Sequence, residues 1–428
     1  MGRNNDPLWV ARTVRSDGLT VVRQAPPASA ASFSATYLAP AGYAFDPSGR
    51  RGLALVTSQL VTSGAGSRDW VTLARELDRL GATLNARCHP ESAEVTIWGP
   101  SEAFSPLLGI LGDVVLRPRF DGSDLERVRR QLRERQLREE TQPESRAEKE
   151  LLRAVFPPDH PYRETGAGTW PSVSKVRRRD VVRFHRDRYT ASGAYLVVTA
   201  PASFPRVLAE VGRCLRGFER ESAPPIGPLP EVRPPRIPRH EVEMPGRSQV
   251  EILVGGPSVP RSAPEYLGAF LANEVLGGRP LLSRLFQRVR EAEGLAYHAS
   301  SELESMRWGG HWVAQAGTGP ERTRRVLPIL LTELERLRSE PIPARELETI
   351  RESAIGEIPL SFETTSGAHD LAVESAYFDL PPDHFRRLPE LLRALSPKEV
   401  RRSAELAFDG RYACTVIAGP KSTRRGSR

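Results

Sequence analysis

Apolar residues recur along this chain with two periods, one typical of strands and one typical of helices. Residues 18–24 alternate and carry β-branched side chains, which predicts a strand. The run that begins at Gly52, GLALVTSQLVTSGA, is long and apolar and predicts a buried helix. A second helix is predicted from Asp69 or Ser67 to Leu80, with a glycine placed to end it. The chain therefore mixes helices and strands.

The same order of elements occurs twice, and glycine and proline mark equivalent positions. Gly-Pro closes a predicted strand at Gly99-Pro100 and again at Gly319-Pro320. Another strand ends on a proline in LVVTAP, at Pro201, and again in TVIAGP, at Pro420. The stretch ELDRLGATLNA in the first half corresponds to RVREAEGLAYHA in the second. Repetition of this kind indicates a duplicated α+β domain.

A proline-rich segment separates the two copies. Eight prolines lie between Pro224 and Pro245. Because proline fixes φ and lacks an amide N–H, this composition favours an extended connector. We therefore predict an N-terminal domain at 1–221, a connector at 222–245, a C-terminal domain at 246–420 and a basic tail at 421–428.

Two polar residues in the stretch RPLLSRLFQRVREAEGLAY, residues 279–297, have a spacing that suggests a site. The apolar residues of this stretch recur at helical spacing and predict a buried stripe formed by Leu281, Leu282, Leu285, Phe286 and Val289. Arg290 falls near the helix end, Gly294 suits the left-handed residue that stops a helix, and Tyr297 follows in a strand. A guanidinium and a phenol are donors suited to a peptide carbonyl. A helix-end arginine and a core tyrosine fit the same pattern.

The composition is that of a globular protein, with 39% hydrophobic and 27% charged residues. No apolar run is long enough to span a bilayer and the N-terminus lacks the apolar core of a signal peptide, so we expect a cytoplasmic location without membrane contact. The net charge of +8 comes mainly from arginines such as the run at 177–179, without interleaved aromatics, and no nucleic-acid partner is expected. Cys88, Cys214 and Cys414 are too scattered for a disulfide framework or a zinc site, so buried unreactive thiols are expected.

The sequence contains no catalytic motif that is complete in itself. None of the eight histidines lies three or four residues from another, so no predicted helix presents a histidine pair to a metal. The chain also lacks a G-x-x-x-x-G-K-[ST] phosphate loop and a G-x-S-x-G nucleophile elbow.

Extended stretches of the chain resemble the insulinase/pitrilysin-like inverzincin peptidases, in a bacterial branch similar to the mitochondrial processing peptidase. The matching stretches are GLALVTSQLVTSGA, ELDRLGATLNA, the region FPPDHPYRETGAGTWPSVSKVRRRDVVRFHRDRYTASGAYLVVTA, and LGGRPLLSRLFQRVREAEGLAY. The resemblance implies two homologous αβ-roll domains, each an antiparallel-rich sheet covered by helices.

The resemblance also shows what this chain lacks. Active members of the family carry H-x-x-E-H on the first helix of the first domain, where two histidines bind zinc and the glutamate activates water. In this chain Leu55 and Gln59 stand at the histidine positions and Ser58 at the glutamate position. The family's distal glutamate ligand is expected near 135–136, where Arg135 and Gln136 stand. No metal or other cofactor is therefore expected in this chain.

The second family signature is present. In this family an Arg/Tyr pair spaced R-x6-Y helps to bind the substrate backbone and the tetrahedral intermediate, and Arg290 and Tyr297 match it. Gly277 and Gly278 match the glycine-rich segment before this helix, whose role is either substrate contact or close helix packing. Some bacterial members divide the two signatures between two chains. The resemblance implies that this chain is the non-catalytic subunit of a heterodimeric zinc metalloendopeptidase, with zinc in an H-x-x-E-H partner and a peptide as substrate.

Three other functions remain open on the sequence. The first is a stand-alone pseudopeptidase that acts as a scaffold or peptide-binding module. Nucleic-acid binding through the basic surface is a weaker alternative, and a self-sufficient peptidase is the least compatible with the missing motif. On every one of these readings except the last, the chain is not active alone.

Overall fold

The computed structural model describes residues 8–218, 229–235, 238–292 and 294–421. Parts of the predicted connector, at 222–228 and 236–237, lie outside the described residues, as does the tail from 422 onward. The strands are β1 (Ala11–Val14), β2 (Thr20–Gln24), β3 (Ser32–Ala39), β4 (Gly64–Ala65), β5 (Arg68–Asp69), β6 (Thr83–Cys88), β7 (Ala93–Pro100), β8 (Tyr195–Thr199), β9 (Arg239–Glu243), β10 (Val250–Ser258), β11 (Ala296–Ser305), β12 (Gly310–Thr318) and β13 (Cys414–Gly419).

The helices are α1 (Leu53–Val61), α2 (Trp70–Arg79), α3 (Phe104–Leu116), α4 (Gly122–Glu140), α5 (Pro143–Val155), α6 (Trp170–Val173), α7 (Arg178–Arg188), α8 (Phe204–Cys214), α9 (Tyr266–Asn273), α10 (Thr323–Ser339), α11 (Ala344–Ser361), α12 (Thr365–Tyr377), α13 (His384–Ala394) and α14 (Pro397–Ala407). Two further segments are π-helical, Glu274–Gly278 directly after α9 and Phe286–Ala292 before β11.

The described chain forms two compact units, and neither is continuous in sequence. Of the described residues, the first contains those in 8–136, 165–218 and 357–388, and the second contains those in 137–164, 229–356 and 389–421. Helix α5, from the first half of the chain, therefore belongs to the second unit, and α12, from the second half, belongs to the first. A division at the connector separates the two sequence copies, whereas the compact units each include a helix from the other copy.

The first unit is built on a six-stranded sheet with the order β1-β2-β8-β3-β7-β6. Strands β2 and β8 are parallel and the other neighbours are antiparallel. One face of the sheet packs against α1, α3, α7 and α8 in a large apolar core. The other face packs against α12, where Val22 and Val197 of the sheet meet Ala372 and Ala376.

Buried hydrogen bonds fix α12 on this sheet. His369 of α12 is 2% exposed, and its ring nitrogens lie 2.7 Å from the Thr36 hydroxyl and 3.0 Å from the Thr199 hydroxyl. Burial lowers the pKa of His369 to about 4, so the neutral imidazole is the form that packs here. A buried polar group whose hydrogen bonds are all made fixes the position in which the helix packs on the sheet.

The second unit is built on a five-stranded sheet with the order β11-β12-β10-β13-β9. Leu151 and Leu152 of α5 pack on one face, against Leu253 and Val416. Helices α9, α10 and α14 cover the other face. On that side Trp312 is almost fully buried, with its ring 5.5 Å from that of Phe408.

The two sheets confirm the predicted duplication. The order β2-β8-β3-β7-β6 in the first unit matches β9-β13-β10-β12-β11 in the second, and each order has one parallel pair at the corresponding end. The predicted fold class, two homologous α+β domains whose sheets are covered by helices, is therefore correct. In both copies the last strand of the order, β6 or β11, lies at an edge and follows a helix through a glycine.

Candidate functional site

The segment predicted to carry a site turns from a π-helix into β11 through Gly294. This glycine has φ +57, in the left-handed region, as predicted for the residue that ends the helix. Its N–H donates to the carbonyl of Arg290 at 3.1 Å, and the N–H of Leu295 donates to that of Val289 at 2.9 Å. The turn is therefore closed by its own backbone hydrogen bonds.

The helix before this turn begins later than the apolar periodicity predicts. Leu285 and Val289 are fully buried, but Leu281 is 65% exposed and Leu282 is 39% exposed. Leu281 follows Pro280 and has φ +66, which no helical residue adopts, so the helix starts only after this turn. The prediction that Leu281 and Leu282 belong to the buried stripe is therefore wrong, because periodicity assumes an unbroken helix.

Three arginines of this segment hold it in place through carboxylates. The pairs are Arg279 with Glu274 at 2.8 Å, Arg284 with Glu346 at 2.7 Å, and Arg288 with Glu333 at 2.5 Å. The Glu333 side chain has no exposed surface and also accepts from Arg336 at 3.2 Å. A buried carboxylate that is paired with two arginines anchors the segment firmly, because a buried charge without a partner strongly destabilises the fold.

Arg290 differs from these three arginines. It is exposed, and it forms no ion pair with any described residue. Its guanidinium carbon lies 5.1 Å from the ring centroid of Phe286, which supports the side chain from below through a cation–π contact. The donors of Arg290 are thus held near the turn and left available.

Tyr297 is the extra residue of a β-bulge. On β11, Ala296 pairs with Thr318 and His298 pairs with Gly317, so Tyr297 has no partner on β12. A bulge bends the strand and redirects a side chain, and such irregularities occur often beside functional sites. The Tyr297 side chain is 66% exposed, so it is not a core tyrosine.

The neighbouring His298 forms a hydrogen-bonded pair with a carboxylate. Its Nε2 lies 3.1 Å from a carboxylate oxygen of the buried Glu251. The hydrogen bond and charge of Glu251 raise the pKa of His298 above the ordinary histidine value. A Cβ on Gly317 would lie 2.3 Å from the His298 ring, so the imidazole lies directly over this glycine and a larger residue there would displace the ring.

The two glycines before the segment pack closely against other atoms. Gly277 is buried, and a Cβ there would lie 2.3 Å from the backbone nitrogen of Ser301 on β11. A Cβ on Gly278 would lie 2.4 Å from the carboxylate of Glu274. These contacts account for both glycines by packing, and substrate contact at Gly277 or Gly278 stays a prediction.

In the first unit, the positions of the degenerate zinc motif lie on α1. Ser58 is 1% exposed, and Leu55 and Gln59 are partly buried. Asp46 caps this helix by accepting from the N–H groups of Gly52 at 2.6 Å and Ala54 at 2.7 Å. Burial raises the pKa of Asp46 to about 7.

The residues at these positions do not fit zinc. Leu55 has no donor atom, the Gln59 amide is a weak ligand, and the Ser58 hydroxyl is buried within the helix packing. Near the expected distal ligand, the Gln136 amide donates to the carbonyls of Ala167 at 3.0 Å and Gly168 at 3.3 Å. Within the ranges that the structure describes, no three histidine, cysteine or carboxylate side chains are placed to hold a metal ion.

Within the described part of the chain, Cys88, Cys214 and Cys414 form no disulfide. Burial raises the pKa of Cys88 well above the usual thiol value, that of Cys214 to about 12 and that of Cys414 to about 11. Thiols with raised pKa values are poor nucleophiles, so these groups belong to the packing.

Sequence reasoning missed the anchoring pairs, the bulge and the His298–Glu251 pair. The anchoring arginines could have been recognised from their spacing. Arg284 and Arg288 are four residues apart and so share one helix face, from which Arg290 is displaced. The bulge has no local sequence signal, because it arises from pairing with β12, which is distant in sequence.

Two models of known families match the chain. The family model described as Insulinase (Peptidase family M16) matches residues 20–165, and the model described as Peptidase M16 inactive domain matches residues 175–354. The chain belongs to the insulinase, or M16, peptidase family. It is a peptidase-like member that lacks the zinc-binding motif of the active enzymes.

Relatives of similar length are named as proteases. An uncharacterized zinc protease of Mycobacterium leprae is 26% identical over 424 residues, covering 97% of this chain and 93% of that protein. The uncharacterized zinc protease YmxG of Bacillus subtilis is 22% identical, covering 86% of this chain and 88% of that protein.

Solved structures agree on the fold. A peptidase M16 inactive domain from Pseudomonas fluorescens superposes with a TM-score of 0.90 at 20% identity, covering 98% of this chain and all of that chain. A protease from Helicobacter pylori gives a TM-score of 0.87 at 17% identity, covering 96% of this chain and 99% of that one.

Among the described helices, none has both the length and the hydropathy to cross a bilayer.

Proposed function

We propose that this chain is the non-catalytic subunit of a heterodimeric zinc metalloendopeptidase. In this assignment it supplies Arg290 and Tyr297 to the substrate, and a homologous H-x-x-E-H chain supplies the zinc site. Peptides are the substrate class, as in the family to which the chain belongs.

The observation that carries the proposal is the contrast among the arginines of one segment. Arg279, Arg284 and Arg288 are each paired with a carboxylate, and Arg290 is exposed with no such pair to any residue that the structure describes. Ion pairing accounts for the first three arginines but not for Arg290, which has no carboxylate partner among the described residues and precedes an exposed, bulged tyrosine by seven positions.

The chemical role follows from the two donor groups. The Arg290 guanidinium presents several N–H donors and Tyr297 presents one O–H, and both suit the oxygen of a scissile carbonyl. Donors that are already positioned stabilise that oxygen most strongly when negative charge builds on it. Arg290 and Tyr297 are therefore assigned to binding the carbonyl and its oxyanion, and the nucleophile is assigned to the partner.

The test is a peptidase assay on three samples, using fluorescein-labelled casein as a general substrate. The samples are this chain alone, an H-x-x-E-H chain of the family that co-purifies with it from the source cells, and the two mixed. Activity is expected only in the mixture. Cleavage by this chain alone, or a mixture no more active than the H-x-x-E-H chain, would overturn the assignment.

A second candidate is a peptide-binding module without a catalytic duty. It is favoured by β11, an edge strand whose outer side pairs with no other strand among the described residues, and such edges accept extended peptides. Peptide binding by this chain alone, with no change in any partner's cleavage rate, would favour this second function. The cytoplasmic location expected from the sequence is also a proposal, which fractionation of the source cells tests.

A further inference from the structure

A basic cavity of about 700 Å³ lies in the first unit. Three parts of the chain form its wall: the residues before α1, the first half of α4, and the loop that leads from α6 into α7. Its lining includes five cationic side chains and one carboxylate, namely Arg50, Arg129, Lys175, Arg177, Arg178 and Glu126.

The carboxylates in and beside the cavity offset only part of this charge. Glu126 pairs with Arg129 at 2.5 Å, and Asp180, just outside the lining, approaches Arg50 at 3.6 Å. Lys175 and Arg177 are both exposed, and within the described chain neither side chain forms an ion pair. The cavity therefore keeps a positive potential that attracts anions.

Neutral groups hold two of the guanidinium side chains in place. Arg178 donates to the carbonyls of Phe120 at 2.8 Å and Arg119 at 3.3 Å. Arg129 likewise donates to the carbonyl of Val176. The carbonyl acceptors fix Arg178 without neutralising it, whereas Arg129 also forms the ion pair with Glu126. A positioned cation that keeps its charge is what an anion site requires. Asp180 already caps the N-terminus of α7. The positive charge of the cavity therefore comes from its arginine and lysine side chains and not from the helix terminus.

A second arginine-rich cavity shows that this imbalance is not general. That cavity, of about 850 Å³ in the second unit, is lined by arginines together with Glu335, Glu405 and Asp409. Each of these carboxylates pairs with one arginine of the lining, namely Arg338, Arg401 and Arg411 respectively. The lining of that cavity thus has four arginines against three carboxylates, whereas the basic cavity has five cationic side chains against one carboxylate.

We propose that the basic cavity binds a small polyanion that carries two or more linked phosphate groups. The volume is in the range of about 300–1,000 Å³ found for small-molecule sites. Guanidinium groups recognise phosphate oxygens through paired N–H donors, and several linked phosphates match a cluster of cations better than one phosphate does. Nucleic acid fits less well, because the lining has no aromatic side chain for a base to stack on and its single apolar residue is Leu125.

The experiment is isothermal titration calorimetry on the full chain with inorganic tripolyphosphate and, separately, inorganic phosphate. We expect saturable binding of tripolyphosphate that is tighter than that of phosphate and weakens as salt rises. The double variant Lys175→Gln, Arg177→Gln is expected to weaken tripolyphosphate binding about tenfold or more, which corresponds to 1.4 kcal/mol or more.

The matched control is Arg75→Gln, Arg79→Gln, which removes the same charge from the exposed face of α2. It is expected to bind tripolyphosphate as the native chain does. Since none of the four altered side chains is buried, a melting curve for each variant checks that folding is unchanged.

Three results would overturn the proposal. They are the absence of saturable tripolyphosphate binding, an equal loss in the Arg75/Arg79 control, and tighter binding of a single-stranded oligonucleotide that depends on Lys175 and Arg177. The last result would assign the cavity to nucleic acid instead.

Discussion

Both copies of the fold turn from a helix into an edge strand through a left-handed glycine. Gly81 has φ +63 between α2 and β6, and Gly294 has φ +57 before β11. The strands that follow differ in one respect. β6 pairs with β7 in an unshifted register, whereas β11 carries one extra residue against β12. The same backbone turn is thus regular in the first copy and bulged in the second.

The side chains around the two glycines also differ between the copies, being apolar in the first and polar in the second. When the copies are aligned on their glycines, Leu77 corresponds to Arg290 and Leu84 to Tyr297. Leu77 is buried and Leu84 is partly buried, whereas Arg290 and Tyr297 are exposed. In the first copy this turn therefore folds with leucine at both of these positions. The arginine and the tyrosine of the second copy therefore call for another explanation, and the proposed carbonyl-binding pair supplies one.

The sharpest test of this contrast compares stability at the two corresponding positions. Leu77→Ala removes a buried side chain and is expected to lower the free energy of unfolding by about 2–3 kcal/mol. Arg290→Ala removes an exposed side chain that has no ion pair within the described chain, and it is expected to change the free energy of unfolding by less than about 0.5 kcal/mol. Urea denaturation measures both. If Arg290→Ala were as destabilising as Leu77→Ala, Arg290 would be a structural residue and the contrast would disappear.

The anchoring of the second turn gives the next largest effect. Glu333→Gln keeps the shape of a fully buried side chain but removes the charge that holds Arg288 and Arg336, so a loss of about 2 kcal/mol is expected. The control is Glu76→Gln at the first turn, whose pair with Arg68 is partly exposed and is expected to contribute less than about 1 kcal/mol. Melting temperatures compare the two variants. Equal shifts would mean that the second turn is held no more firmly than the first.

A pH dependence is the smallest expected difference. The second copy has His298 where the first has Asn85, and Glu251 raises the pKa of His298. Because its pKa in the folded chain is above the unfolded value, this group stabilises the fold fully below the ordinary histidine pKa, and the stabilisation is lost as pH rises through the raised value. The melting-temperature difference between the native chain and His298→Asn is therefore expected to be larger at pH 6 than at pH 9. A difference that grows with pH would show that the pair acts in another way.

Much of this architecture was predictable from local sequence. The duplication followed from the repeated Gly-Pro pairs and the prolines at strand ends. For the N-terminal cap of α2 the sequence offered Asp69 or Ser67, and Asp69 is the residue that accepts from the N–H of Thr72. Gly294 was correctly placed as the end of a helix, because a left-handed residue at that position favours glycine.

The features that the sequence did not predict depend on contacts between distant residues. The apolar residues of α5 and α12 indicate burial, but they do not say which sheet each helix covers. The bulge at Tyr297 is fixed by the register with β12. The exposure of Leu281 follows from a left-handed backbone that leucine seldom adopts and that its sequence neighbours do not require.

The most direct test of the account is a steady-state assay of the mixed subunits with variants of this chain. Arg290→Ala and Tyr297→Phe are each expected to lower kcat/KM by about 10²-fold, mainly through kcat, as the loss of an oxyanion donor does. Arg79→Ala, an exposed arginine near the corresponding glycine of the first copy, is expected to leave kcat/KM unchanged. If both Arg290→Ala and Tyr297→Phe retained native kcat/KM in a fully assembled mixture, the assignment of this pair to the substrate would be wrong.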